Sequence, residues 1–109
     1  MCAGLTVQTQ NGSDEVLVSV QGEVDLATAP ELEAVLEQAL QGAAKRLVVD
    51  LREVGFLDSS GLSLLVRQDR RARRISRRLI VIKGPPQVQQ VFEMTGLSEY
   101  LTLVDEPPS

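Results

Sequence analysis

Apolar and polar residues alternate in two stretches near the start of the chain, LTVQTQ (5–10) and VLVSVQG (16–22). A period of two predicts strands. The Asn11-Gly12 pair in the intervening NGSDE is a strong turn signal, so the two stretches are expected to form an antiparallel hairpin. The period then changes. In TAPELEAVLEQALQG (28–42), Leu32, Val35, Leu36, Ala39 and Leu40 recur at i, i+3, i+4, i+7 and i+8, the apolar stripe of an amphipathic helix. Thr28 and Glu31 have the spacing of a capping box, Pro30 suits the first turn, and Gly42 follows the last apolar residue.

KRLVVDL (45–51) and RLIVIKG (78–84) have nearly continuous apolar centres, as expected of strands covered on both faces. Residues 59–76 between them read as a second helix, reached from the first of these strands through a short connection, REVGFL (52–57). A third helix is expected from about Pro86 to Thr95, with Val88, Val91 and Phe92 on one face and Gly96 as its stop. A short SEYL turn, a last strand LTLVD (101–105) and the tail EPPS complete the chain. Strand and helix alternate after the hairpin. That order predicts an α/β fold: a mixed, mostly parallel sheet with an N-terminal hairpin and helices packed against it. No internal repeat or linker divides the chain, so 1–109 reads as one domain with its core at about 5–104.

Composition narrows the function. At 109 residues, 43% apolar and 24% charged, the chain has the make-up of a single globular domain. Its single cysteine, Cys2, excludes an intramolecular disulfide, and a reducing cytoplasm is expected. No apolar run approaches the roughly 20 residues of a membrane span, and MCAGLTVQTQ lacks the basic and apolar regions of a signal peptide, so neither export nor anchoring is expected. There is no histidine. The commonest general base and metal ligand are therefore missing, which rules out a Ser-His-Asp triad at Ser59 or Ser60 and argues against a zinc site. A serine hydrolase would have to take its base from Lys45, Lys83 or a carboxylate. No catalytic residue and no metal or cofactor is expected in this chain.

Net charge is −4, yet seven of the eleven basic residues, Arg67, Arg70, Arg71, Arg73, Arg74, Arg77 and Arg78, fall within twelve positions. On a helix, Arg67, Arg70, Arg71, Arg74 and Arg78 share a face, while Leu62, Leu65, Ala72 and Ile75 occupy much of the other side. Asp69 intrudes on that apolar arc, with Arg73 four residues on as its partner. A solvated face whose cations suit a helix C-terminus accounts for the cluster, and an acidic protein partner is the functional alternative. Nucleic acid is disfavoured by two phenylalanines, one tyrosine and no tryptophan for stacking, and by the absence of a helix-turn-helix spacing.

The stretch FLDSSGLSLL (56–65) sets an acid, two hydroxyls and a glycine between apolar residues. Asp58 is expected at the carboxyl edge of the sheet, where ligands and partners of open α/β sheets bind. A structural role accounts for part of it: Asp58 or Ser59 serves as helix N-cap and Gly61 allows close approach. It does not account for both serines. Upstream, QGEVDLATAPEL (21–32) ends the second strand in a loop that can bring Asp25 close to Asp58.

GEVD after the second strand, VVDLREVGFLDSSGLSLLV (48–66) in the middle and PPQVQQVFEMTGL (85–97) near the end together resemble the bacterial anti-sigma factor antagonists of the STAS domain family. Asp-Ser-Ser-Gly-Leu after a buried strand is the most specific part. The resemblance implies a small switch protein that performs no chemistry itself. The serine directly after the aspartate would be phosphorylated by an anti-sigma factor that is also a serine kinase and that binds the ATP, and a serine phosphatase would reset the switch. The unphosphorylated form would bind the kinase and release the sigma factor. Carried over, Ser59 is the phosphoacceptor, and Asp25, Asp58, Ser59, Ser60 and Gly61 form the partner site, with Ser60 structural. RRISRR (73–78) departs from relatives that often carry a glycine pair there. The alternative within the resemblance is a scaffold or transporter-regulatory STAS module in which the serine is unused.

Overall fold

The structure, a computed structural model, describes residues 4–108, so Cys2 lies outside the described residues. Five strands form one sheet in the order β1-β2-β3-β4-β5: Leu5–Asn11, Glu15–Val24, Arg46–Leu57, Arg78–Ile82 and Thr102–Val104. The first pair is antiparallel and each later pair parallel. Three helices connect them, α1 (Ala29–Gln41), α2 (Ser59–Arg74) and α3 (Pro86–Thr95), with a single 3₁₀ turn at Leu97–Tyr100. The expected α/β class, hairpin and element order are all present.

The strand order never reverses. With the right-handed crossovers that parallel strands almost always use, such an order puts every helix on the same face of the sheet. The packing agrees: Val18 and Val20 of β2, Val49 and Leu51 of β3 and Val81 of β4 share one core with Leu32 and Leu36 of α1, Leu62 and Leu65 of α2 and Phe92 of α3. On the other face, Val48, Ile80 and Ile82 are buried with Leu17 and Val104 packed against them, and no helix contributes. The central strands are thus buried on both faces as expected, with helices over one face only. Their alternate apolar residues are shielded by the side chains of neighbouring strands.

REVGFL is also not a connection. It continues β3 to Leu57, pairing with the end of β2. Ser19 faces Asp50 but Gln21 faces Glu53, and Gly22 faces Val54 but Glu23 faces Phe56, so β3 carries two extra residues, each a bulge. Its inward positions become Leu51, Val54 and Leu57, three apart, which hides the strand from a search for alternation. In the hairpin, Gly12 N–H donates to Glu15 O at 2.7 Å and Asn11 faces Val16, a turn longer than the two-residue form.

The second helix accounts for most of the arginines. Arg67 makes a two-pronged bond to Glu33 of α1 at 2.9 and 3.0 Å, Arg71 lies 3.7 Å from Glu37, and Gln68 Nε2 donates to Glu33 at 3.0 Å. Arg77, in the turn before β4, donates to the carbonyls of Gly42 and Ala44, tying that turn to the loop that follows α1. Arg73 Nε meets Asp69 at 2.9 Å, the i+4 pair foreseen from the sequence. Arg70, Arg74 and Arg78 form no salt bridge among the described residues. The helix ends at Arg74 rather than 76, because Ser76 takes a left-handed φ of 59° and the chain turns back to β4. Ile75 is therefore 44% exposed and does not extend the apolar side.

Two buried carboxyls are tuned in opposite directions. Burial pushes Asp69 above the usual carboxylate range, against the pull of Arg73. Burial also works against the charge on Asp50, but the hydrogen bonds from the Arg52 side chain and backbone N–H, with the Arg52 charge, outweigh it and hold that carboxyl below the usual range. A lowered folded pKa adds stability above the ordinary value of about 3.9, lost as pH falls through the folded value, whereas a raised one favours the fold as pH falls toward the ordinary value. Urea denaturation should therefore show Asp50→Asn less stable than the native chain at pH 7, with the gap closing below about pH 4. The stability of the native chain relative to Asp69→Asn should rise as pH falls from neutrality toward the ordinary carboxylate value, and a relative stability that falls over that range would contradict the assignment.

Candidate functional site

The parallel pairing of β2 and β3 runs to the last residue of each strand. Glu23 faces Phe56, Val24 faces Leu57, and one step further Asp58 N–H donates to Val24 O at 3.1 Å. Asp25 and Asp58 thus leave the sheet side by side, as the sequence led one to expect, at the carboxyl edge from which α1 and α2 begin.

Asp58 is the N-cap of α2. Its backbone is extended, at φ −106° and ψ −171°, and its Oδ1 accepts from Ser60 N–H at 2.8 Å and Gly61 N–H at 3.3 Å. Those bonds satisfy two of the donors that a helix start leaves unpaired. Ser59 takes the first helical position and is exposed, whereas Ser60 is half-buried. Gly61 is buried, and a Cβ there would lie 2.7 Å from Val24 Cγ1 and 3.1 Å from Leu57 Cγ. Its lack of a side chain lets α2 approach the strand ends, which places Gly61 under the site rather than on its surface.

Asp25 organises the other loop. Its Oδ1 accepts from Ala27 N–H and Thr28 N–H, both at 3.0 Å. The Thr28 hydroxyl accepts from Asp25 N–H at 3.0 Å and donates to Glu23 O at 2.8 Å. The capping box expected from Thr28 and Glu31 does not form: Thr28 precedes α1 but makes no side-chain cap bond, because its hydroxyl turns back into the loop. The Asp-x-x-Thr spacing of an Asx-type turn was the signal for this, and the overlapping Thr-x-x-Glu spacing concealed it.

A groove of about 330 Å³ runs between the two helix starts, with Leu26, Pro30 and Glu33 on one wall and Ser59, Ser63 and Arg67 on the other. The serines and Arg67 are four residues apart along α2, which puts them on one face. Hydrogen bonding from Arg67 holds the Glu33 carboxyl below the usual range, so this part of the wall is a closed ion pair. Leu26 is 78% exposed, and Phe56, on β3 just before Asp58, is 50% exposed. Sequence reasoning had assigned a role to neither of them, nor to Arg67 beyond the basic face. An exposed serine beside an internally bonded carboxylate and an apolar rim, with no basic group bonded to the hydroxyl among the described residues, is suited to modification and docking.

Gly61→Ala should leave the fold intact but cost about 1 to 3 kcal/mol by overpacking against Val24 and Leu57. Thermal unfolding should show it as a fall of about 4 to 8 °C for each kcal/mol in a domain of this size. A variant as stable as the native chain would mean that α2 can retreat from the strand ends.

Comparison with known proteins gives a consistent picture. The family model described as "Mlab, STAS domain" matches residues 7–105. The anti-sigma-B factor antagonist of Staphylococcus aureus is 31% identical over 97 residues, covering 89% of this chain and 90% of its own. An anti-sigma factor antagonist from Mycobacterium paratuberculosis superposes with a TM-score of 0.86 at 28% identity, over 94% of this chain and 87% of the other. The antagonist SpoIIAA in its unphosphorylated form gives 0.77 at 25% identity, over 93% and 90%. The Bacillus SpoIIAA in its phosphorylated form gives 0.70 at 24%, over 93% of both chains. With the Asp-Ser-Ser-Gly turn capping α2 at the end of β3 and the family match spanning almost every described residue, this chain belongs to the STAS domain family.

Proposed function

We propose that this chain is an anti-sigma factor antagonist whose binding is switched at Ser59. The unphosphorylated protein binds an anti-sigma factor that is also a serine kinase, and the sigma factor is released. The kinase then moves the γ-phosphoryl group of its own bound ATP to Ser59 Oγ; the hydroxyl proton is lost, ADP leaves, and the pair separates. A serine phosphatase returns the antagonist to its binding form. The relatives named as antagonists support the partner class, and SpoIIAA, which has been characterised with and without phosphate, supports the modification.

The observation that carries the proposal is the N-cap. Asp58 already holds the amides of Ser60 and Gly61, so a phosphate on Ser59 finds those two donors occupied. Such a phosphate carries about −1.5 to −2 charge beside Asp58. The helix dipole favours it by roughly 0.3 to 1 kcal/mol, while the neighbouring carboxylate opposes it. These effects partly cancel within the domain. The fold stays as it is, and the new charge faces outward into any surface that had accepted a neutral hydroxyl. Poorly compensated charge at an interface costs several kcal/mol, and about 1.4 kcal/mol is a tenfold change in affinity.

Incubation with ATP and the cognate anti-sigma factor kinase, followed by intact-mass measurement and phosphopeptide mapping, should find one phosphate, on Ser59. Ser59→Ala should bind that kinase persistently and Ser59→Asp at least tenfold more weakly, with the same circular dichroism. Tight binding without any phosphate would instead identify a constitutive STAS scaffold.

A further inference from the structure

The groove beside Ser59 has an apolar rim, and the loop that supplies it is more tightly tied than an exposed loop requires. Leu26 is 78% exposed, yet the residues on either side of it are held by five hydrogen bonds among Glu23, Asp25, Ala27 and Thr28. Isolated apolar residues are ordinary on protein surfaces. Leu26 is not isolated in this sense: it lines the groove that holds Ser59, and half-exposed Phe56 lies at the end of the neighbouring strand. An apolar side chain fixed in place before binding loses little conformational entropy when it docks.

We infer that Leu26 is an apolar anchor for the anti-sigma factor, and that Asp25 is a positioning residue which holds it at the rim. The inference rests on the function proposed above and specifies its interface. Asp25 spends Oδ1 on the N–H groups of Ala27 and Thr28, so its carboxylate shapes the loop around Leu26. Charge indicates the chemistry of the occupant. Glu23, Glu31 and Asp58 all lie at this edge without a basic partner among the described residues. The matching surface is thus an apolar pocket bordered by lysine or arginine on the partner protein.

Calorimetric titration of the cognate anti-sigma factor kinase, loaded with ADP so that no phosphate is transferred, tests this with four variants. Leu26→Ala should weaken binding by about tenfold or more, the loss expected of a central anchor. Asp25→Ala should weaken it by a similar factor. The double variant should be no weaker than the worse single within about threefold, since both changes remove one contact. Asp25→Asn keeps an oxygen that accepts the two N–H groups, and it should recover most of the affinity lost in Asp25→Ala. All four should share the native circular dichroism. Leu26→Ala binding within about twofold of the native chain would overturn the anchor, and additive losses, or Asp25→Asn as weak as Asp25→Ala, would make Asp25 a direct contact instead. Failure of the native chain to bind the kinase at all would overturn the proposed function and this inference with it; native binding that survives Leu26→Ala overturns the inference alone.

Discussion

The parallel ladder between β2 and β3 is the constraint on which the rest depends. Because it holds to Val24 and Leu57 and is extended by the bond from Asp58 N–H to Val24 O, the two following loops leave the sheet as neighbours. Neither loop needs to reach for the other. Asp25 folds one and Asp58 caps the helix of the other, and the surface between them has a shape set by backbone geometry. Rigid elements hold side chains more closely than loops do, and a site flanked by two strand ends inherits that rigidity.

Close packing below the site completes it. Gly61 lets α2 press on Val24 and Leu57, the two residues whose pairing aligns the loops. The clasp of Arg67 and Gln68 on Glu33 then ties α2 to α1 along the groove. A cluster of arginines that suggests a nucleic-acid surface on paper is for the most part used inside the molecule, between helices and at the end of α1. Such part-exposed pairs are individually weak, and their contribution is to orientation as much as to stability.

Much of this was legible in the sequence, and the gaps have physical causes. Period and turn chemistry located the hairpin, all three helices and the central strands, and α3 with its stop at left-handed Gly96 was placed to the residue. A helix cap at Asp58 or Ser59, and a loop able to bring Asp25 near Asp58, also followed from residue types and strand order, and the structure puts the cap on Asp58. What was missed depends on events that leave no periodic trace. Two bulges turned the inward spacing of β3 from two to three, so its second half looked like a loop. Thr28 had two possible partners at compatible spacings, and only the path of the chain from Glu23 decides between them. The end of α2 turns on Ser76 in a conformation that favours glycine, which composition alone does not announce.

The bulges on β3 have one more consequence. Side chains of a strand alternate between faces, so each extra residue shifts everything after it by one position, and two extra residues restore the original sense. The half of β3 beyond Asp50 is therefore read in a structural frame kept by a pair of compensating insertions. That frame sends Leu57 inward and Phe56 outward, and it delivers Asp58 to the helix start. Between Leu51 and Leu57 packing fixes only the inward positions, since Arg52, Glu53, Gly55 and Phe56 are exposed. Gaining or losing a single residue there would turn the strand over and present the wrong face of the turn, so length in this segment is held more tightly than composition.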